Sequence, residues 1–165
     1  MEADQIRLGK EWLEEFLRLA GMSSTVSAEV SSNLPEESCW LTIDETRLQP
    51  NQVQSLIGPD GAVLDSTQYL MNAILNLGHD RDYQGAYTIE LAGYRLRRFA
   101  ELKAMADQAA EQVRQTGEEF ELKSLSSAER RQVHTMLKEY GDLETYSRGQ
   151  EPDRRLVVRL LQSEA

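Results

Sequence analysis

The chain has 165 residues, of which 40% are hydrophobic, and a formal net charge of −10 at pH 7. This composition is typical of a folded protein with one large or two small domains. No apolar run is long enough to cross a bilayer, and the N-terminal segment lacks a signal-peptide pattern, so we expect a cytoplasmic protein with no membrane partner. The single cysteine, Cys39, excludes an internal disulfide and a cysteine-based metal cluster.

The charge is distributed unevenly along the chain. Residues 1–92 contain 5 Lys+Arg against 15 Asp+Glu, whereas residues 93–165 contain 13 against 13. An acidic surface argues against nucleic-acid binding, because phosphates require local positive charge. That argument applies to the first part alone. In the second part arginines cluster in three places, namely Arg95, Arg97 and Arg98, then Arg130 and Arg131, then Arg148, Arg154 and Arg155.

Hydrophobic periodicity predicts the order α-β-β-α-α-β for the first part. The elements are a helix over residues 10–20, strands over 26–32 and 38–44 joined by a turn at 33–37, a helix over 50–57, a helix between Gly61 and Gly78, and a strand over 86–92. The second strand alternates, with Cys39, Leu41 and Ile43 on one face. For the longer helix the predicted apolar side consists of Val63, Thr67, Leu70, Ile74 and Leu77.

A polar loop, His79-Asp80-Arg81-Asp82, precedes the third strand. Two carboxylates and one imidazole could hold a metal ion, but a solvated turn is the favoured interpretation of so short a set in a flexible loop. We therefore predict no metal site, and no cofactor.

The second part begins with the longest predicted helix, from Tyr94 to about Gln115. Three arginines in its first turns lie at the unfavourable end of the helix dipole, so an anion or the acidic part of the chain is expected to account for them. The remaining predicted elements are a strand over 119–123, a helix after Ser126, and strands over 143–147 and 156–161.

The helix after Ser126 carries the candidate chemistry. Ser126 and Glu129 form a capping-box pattern at its start. Arg130 and His134 are four residues apart and so project from one side, where they could grip a phosphate or stack on a base. The alternative, which this helix alone favours, is a solvated arginine beside a hydrogen-bonded histidine.

Two motifs resemble known families. Residues 56–70 read Leu-Ile-Gly-Pro-Asp-Gly-Ala-Val-Leu-Asp and continue to Gln-Tyr-Leu, which resembles the KH signature of Jag-type proteins. Residues 129–134 read Glu-Arg-Arg-Gln-Val-His, which resembles the R-three-H domain, and residues 144–158 follow its pattern of Thr-x-Ser-x-Gly, Glu-Pro and an arginine pair entering a strand. The order of the two motifs is that of the Jag family of bacterial RNA-binding proteins.

The resemblance implies an α+β protein, with a type II KH domain at residues 1–92 joined by a long helix to a small R-three-H domain within 93–163. It also implies binding of single-stranded RNA, with single-stranded DNA as an alternative, and pairing with a KH-protein partner or a second copy. Many Jag-type proteins carry a further N-terminal domain, which we expect to be lacking here, so functions that depend on it are not carried over.

The KH loop, Gly58-Pro59-Asp60-Gly61, departs from the family pattern. A basic side chain usually assists the backbone N–H groups at this turn, whereas Pro59 removes a donor and Asp60 adds a carboxylate. A carboxylate about 5 Å from a phosphate at an effective dielectric of about 20 is repelled by roughly 3 kcal/mol before screening. We expect weak RNA binding at this loop.

The predicted function is therefore binding of single-stranded RNA, mainly by the R-three-H half, as a post-transcriptional regulator or RNA chaperone. Affinity is expected to fall steeply with salt. The predicted contacts are Arg130, His134, Arg131, Thr145, Ser147, Arg154 and Arg155. The alternative is a protein-interaction adaptor whose acidic half binds another KH subunit or a basic partner. An enzyme is not predicted, because there is no nucleophile–base pair or clustered set of metal ligands.

Overall fold

A computed structural model describes residues 3–31, 38–80 and 84–161. The chain divides into two compact units, one up to Arg95 and one from Leu96 onwards. Each unit has its own three-stranded sheet and its own hydrophobic core. The predicted α+β class is confirmed, with five α-helices in the described ranges.

The first unit has the predicted order α-β-β-α-α-β. Its elements are α1 (Ala3–Leu19), β1 (Val26–Ser31), β2 (Ser38–Ile43), α2 (Pro50–Ile57), α3 (Ala62–Leu75) and β3 (Tyr87–Leu91). The assignment to the type II KH fold stays a prediction. Helix α1 begins well before the expected Lys10, because Ile6 already packs on the core and Arg7 bridges Asp4 and Glu11 along the helix. The predicted turn at 33–37 lies outside the described residues.

The first sheet has the order β1-β2-β3. Strand β1 is antiparallel to β2, with Val26 opposite Ile43, and β2 is parallel to β3, with Cys39 opposite Tyr87. The alternation predicted for β2 is confirmed, since Cys39, Leu41 and Ile43 are all buried. They pack in one core with Leu13 and Leu17 of α1 and Met71 of α3.

The apolar side predicted for α3 is wrong. The helix buries Leu64 and Met71, whereas Leu70 and Ile74 are 45% and 47% exposed. The reason is that a polar row of this helix, Gln68, Asn72 and Asn76, lies along the free edge of β3. Asn72 bonds to both backbone groups of Tyr87 at 2.9 Å, Asn76 bonds to both of Gly85 at 2.8 Å, and the Gln68 amide oxygen accepts from the Ile89 N–H at 2.9 Å. These amides satisfy backbone groups at an edge that would otherwise lack partners.

The second unit follows the predicted order of a long helix, a strand, a helix and two strands. Its elements are α4 (Tyr94–Thr116), of which the first two residues still belong to the first unit, β4 (Phe120–Leu122), α5 (Ser127–Lys138), β5 (Leu143–Arg148) and β6 (Arg155–Leu160). Strand β6 lies between β4 and β5 and is antiparallel to both. Buried residues of α4 and α5, such as Ala106, Val113 and Val133, share one core with Leu156 and Val158 of β6.

Within the described residues, no helix combines the length and the hydropathy needed to cross a bilayer.

Candidate nucleic-acid interface

The N-terminus of α5 is held by the predicted capping box. The Ser126 hydroxyl accepts from the Glu129 N–H at 3.2 Å, and the Glu129 carboxylate accepts from the Ser126 N–H at 2.8 Å. The same carboxylate accepts from the Arg98 Nε of α4 at 2.6 Å. Burial alone would raise the pKa of Glu129, but the hydrogen bonds from Arg98 and Ser126 outweigh burial and lower it.

These contacts also account for two arginines at the start of α4. Arg98 binds Glu129, and Arg95 binds Asp65 at 2.5 Å while donating to the backbone oxygen of Ile89. The helix dipole does not favour cations in this position, so the carboxylates explain why they occur there.

Arg130 is buried, with 6% of its surface exposed. Its Nη1 donates to the carbonyl oxygens of Leu125, at 2.7 Å, and of Arg154, at 3.3 Å, and its Nη2 forms an ion pair with Glu151. Arg130 is therefore not the solvated side chain that the helix pattern favoured, and most of its hydrogen-bonding capacity is used within the protein.

His134 lies one turn further along the same side of α5 and is partly exposed. Its Nδ1 shares a hydrogen bond with the Thr145 hydroxyl of β5. This bond fixes the orientation of the imidazole ring and leaves Nε2 as its second polar group.

A shallow cleft of about 340 Å³ lies between α5, β5 and the start of β6. Its lining contains all but one of the residues predicted to bind RNA in the R-three-H half, and is formed by Ser127, Arg130, Arg131, His134, Thr145, Tyr146, Ser147, Arg154 and Leu156. Sequence reasoning missed Ser127, Tyr146 and Leu156. The ring of Tyr146 itself lies on the other side of the sheet, beside Arg148 and Arg159. The alternation of β6 gives a signal for Leu156, since it places this residue on the helix side of the sheet together with Val158.

Arg155 is the predicted residue that does not line the cleft. It lies on the opposite side of β6, where its guanidinium binds Glu121 at 2.7 Å. Strands alternate their side chains between two faces, so Arg154 and Arg155 point in opposite directions although they are adjacent.

We call this opposite side the outer face. Its charged and aromatic side chains form one network of ion pairs, made by Glu119, Glu121, Glu144, Tyr146, Arg148, Arg155 and Arg159. The guanidinium carbons of Arg148 and Arg159 lie 5.4 and 5.2 Å from the centre of the Tyr146 ring. Hydrogen bonds from Arg155 and Arg148 lower the pKa of Glu121. The arginines of the outer face are neutralised by neighbouring carboxylates.

Few cations in the second unit remain without such a partner. Among the residues from Leu96 to Leu161, four make no ion pair or side-chain hydrogen bond, namely Lys123, Arg131, Lys138 and Arg154. All four are exposed. Arg131 and Arg154 both line the cleft, which thereby gathers two uncompensated positive charges beside the hydroxyls of Thr145 and Ser147.

The KH loop of the first unit has a different character. Gly58, Asp60 and Gly61 have positive φ angles of 71°, 52° and 78°. The N–H of Gly58 donates to the Gln54 oxygen at 2.8 Å, that of Gly61 donates to the Gly58 oxygen at 3.3 Å, and Pro59 has none. At most the Asp60 amide remains for a ligand, and its own side chain is a carboxylate.

The cations of the first unit are also compensated. Each lysine and arginine that the structure describes up to Arg95 lies within 3.9 Å of a carboxylate, and these are Arg7, Lys10, Arg18, Arg47 and Arg95.

In the described part of the chain, no three His, Cys, Asp or Glu side chains are grouped so that they could hold a metal ion. Arg81 and Asp82 of the loop considered above lie outside the described residues.

Comparison with known proteins finds a match for the part of the chain that forms the cleft. Residues 100–160 match the R-three-H domain. The chain is 29% identical to the RNA-binding protein KhpB of Clostridium symbiosum over 150 residues, which are 91% of this chain and 64% of that protein. It is 33% identical to KhpB of Bacillus subtilis over 108 residues, 62% of this chain and 50% of that protein. For KhpB of Lactiplantibacillus plantarum the identity is 31% over 105 residues, 64% and 32% of the two chains. The chain thus spans less than two thirds of the length of these relatives.

Proposed function

We propose that this chain, which carries an R-three-H domain and is related to the KhpB proteins as the resemblance to the Jag family predicted, binds single-stranded RNA in the cleft between α5 and β5. The observation that carries the proposal is the presence of two arginines, Arg131 and Arg154, in one cleft, where neither forms an ion pair with a carboxylate of the described residues. Elsewhere in the described chain most cations are already neutralised. A cation without a partner gains most from a phosphate, because no internal ion pair has to be broken first.

The rest of the lining suits a flexible strand. Arg131 and Arg154 bind phosphates, the hydroxyls of Thr145 and Ser147 donate to phosphate or ribose oxygens, and the His134 ring offers Nε2 or its face to a base. The cleft is shallow and small. It therefore suits a single strand, whose bases can be splayed out, better than a rigid duplex. Single-stranded DNA is the alternative ligand. The cellular role that we propose is post-transcriptional regulation or RNA chaperoning, without an enzymatic activity.

Two phosphate contacts predict a weak dependence on salt. For single strands the slope of log K against log salt is about −0.7 for each neutralised phosphate, so two contacts give about −1.4. Affinity should then fall about sevenfold between 50 and 200 mM salt. This dependence is weaker than the sequence suggested, because Arg130 and Arg155 are engaged within the protein.

The site is tested by measuring the affinity for a fluorescent single-stranded RNA at several salt concentrations, with fluorescence anisotropy as the signal. We expect the double variant Arg131→Ala with Arg154→Ala to lose about 100-fold in affinity, since hydrogen bonds to charged groups contribute about 1.5–3 kcal/mol each. Arg155→Ala is the matched control, an adjacent arginine on the outer face, and should bind as the unaltered chain does. The proposal fails if the double variant binds normally, or if both variants lose affinity equally.

A second function, protein association through the first unit, is favoured by the exposed side of α3. A stripe at heptad spacing consists of Val63, Thr67, Leu70, Ile74 and Leu77, and its apolar members are 39–81% exposed. The one charged residue from Ala62 to Leu77 is Asp65, which Arg95 neutralises. Heptad spacing without charge suits packing against an identical stripe, so we infer that a second copy of this chain docks here.

Light scattering before and after nuclease treatment separates this association from RNA bridging. We expect a dimer that survives nuclease and dissociates in Ile74→Glu, because a carboxylate in the middle of the stripe would be buried without a partner. Tyr69→Glu is the matched control, since Tyr69 is likewise exposed on α3 but lies outside the stripe. A monomer at all concentrations, or a dimer that both variants retain, excludes this interface.

A further inference from the structure

The loop between β5 and β6, residues 149–154, presents Arg154 to the cleft. All six of its residues are exposed, so the hydrophobic core does not hold the loop in place. Within the described residues, the loop accepts two hydrogen bonds from other parts of the chain, and Arg130 donates both. One goes to the Arg154 carbonyl oxygen and the other to the Glu151 carboxylate.

The same guanidinium is anchored to the helix side of the cleft. Its Nη1 also donates to the carbonyl oxygen of Leu125, the residue before the N-cap Ser126, at 2.7 Å. A planar guanidinium offers several N–H donors in fixed directions, so one side chain can join three acceptors in two segments. Arg130 is buried to 6% exposure by these contacts, whereas Arg154 is exposed.

We propose that Arg130 is a positioning residue for RNA, which acts by holding the 149–154 loop so that Arg154 faces the cleft. This inference rests on the proposed function of the cleft. A charged side chain on an untethered loop has to be ordered each time RNA binds, and that entropic cost reduces affinity. The arginine that gives the R-three-H motif its name thus contributes to binding through another arginine.

A double-mutant cycle tests the proposal, with RNA affinity measured for Arg130→Ala, Arg154→Ala and the two together. If Arg130 acts through Arg154, each single variant loses about tenfold, and the double variant loses no more than Arg154→Ala alone. If Arg130 instead contacts a phosphate itself, the losses multiply to about 100-fold, and the salt slope of the double variant falls by about a further 0.7 relative to Arg154→Ala. The second pattern would overturn the proposal.

A milder variant keeps the test valid if Arg130→Ala does not fold. Glu151→Gln removes the ion pair while it leaves the buried guanidinium bonded to the two carbonyls. We expect a loss of a few fold that is absent when Arg154 is already alanine. Asp153→Asn is the matched control, because it removes the same charge from the same loop without a bond to Arg130. Equal effects of Glu151→Gln and Asp153→Asn would overturn the proposal. No effect of Arg154→Ala in any background would instead contradict the function of the cleft itself.

Discussion

The KH loop and the cleft are the two regions at which the sequence places RNA, and they differ in how their polar groups are already used. In the KH loop the amides of Gly58 and Gly61 bond within the protein, and Asp60 contributes a negative charge. In the cleft the side chains of Arg131 and Arg154 have no partner among the residues that the structure describes. Both regions belong to motifs that resemble nucleic-acid-binding families. We therefore expect the pairing of each group within the protein to decide whether it is available to a phosphate.

Net charge alone would have concealed this difference. Residues 93–165 carry equal numbers of acidic and basic side chains. Most of their arginines form ion pairs with carboxylates, for example on the outer face and between α4 and α5. A balanced charge can therefore consist of many neutral pairs together with a small number of cations that have no partner among the described residues, two of which line the cleft.

The largest expected effect comes from a variant that destabilises the KH loop and leaves the cleft intact. Gly61 has a φ of +78°, and a Cβ there would overlap the Tyr94 hydroxyl, so Gly61→Val should destabilise the first unit by about 2–4 kcal/mol. Both tryptophans lie in this unit, so urea denaturation followed by tryptophan fluorescence reports on it. RNA binding should persist, because the cleft belongs to the second unit.

Gly78→Val is the control for Gly61→Val. Gly78 has a φ of +79° but nothing within 4 Å of a Cβ, so its variant carries the backbone strain without the overlap. A loss of RNA binding by Gly61→Val at concentrations of urea that leave the second unit folded would show that the KH loop contributes to the site.

The next effect concerns the start of α5, the helix that forms one side of the cleft. Glu129 has a lowered pKa in the folded chain, so its stabilisation is present above the unfolded value of about 4.3 and is lost as the pH falls through the folded value. Glu129→Gln should cost about 1–2 kcal/mol at pH 7 and reduce the dependence of stability on pH below 5. Urea denaturation followed by circular dichroism at pH 7 and pH 4 measures both.

Glu139→Gln is the control for Glu129→Gln. Glu139 is exposed near the end of α5 and forms no ion pair with another described residue. If both glutamate variants lost the same stability at pH 7, the capping box and the Arg98 contact would not be what holds α5.

Much of the fold was predictable because its local patterns are unambiguous. Helix α2 begins at Pro50 and ends before Gly58, and β2 alternates buried and less buried positions. The capping box at Ser126 was predicted from two residues and is present. In each case the signal lies within a few positions of the element that it defines.

The predictions that failed concern contacts between residues that are distant in sequence. The face of α3 was misassigned because the amides of Asn72 and Asn76 bond to a strand edge about ten residues or more away, which a helical pattern does not show. The burial of Arg130 depends on Glu151, in a loop reached only after β5. The separation of Arg154 from Arg155, by contrast, was available from the alternation of β6, because Leu156 and Val158 mark the helix side.

A smaller effect sharpens the comparison by changing the charge of the KH loop. Asp60→Lys should tighten RNA binding about fivefold, since it removes a repulsion and adds an attraction. Asp60→Asn should give a smaller gain and keeps a residue that tolerates the positive φ of 52°. Anisotropy titrations at 50 mM salt compare the three chains. No gain in either variant would mean that the bonded amides, and not the carboxylate, keep RNA away from this loop.

The smallest effect tests whether pairing itself keeps the outer face from RNA. Glu121 neutralises Arg155, which is adjacent to Arg154, so Glu121→Gln should release one further cation. The salt slope should then steepen from about −1.4 to about −2.1, as expected for one further phosphate contact. Glu118→Gln changes the net charge equally without disturbing an ion pair and should leave the slope unchanged. If Glu121→Gln behaves in the same way, the direction in which Arg155 points, and not its carboxylate, separates the outer face from the cleft.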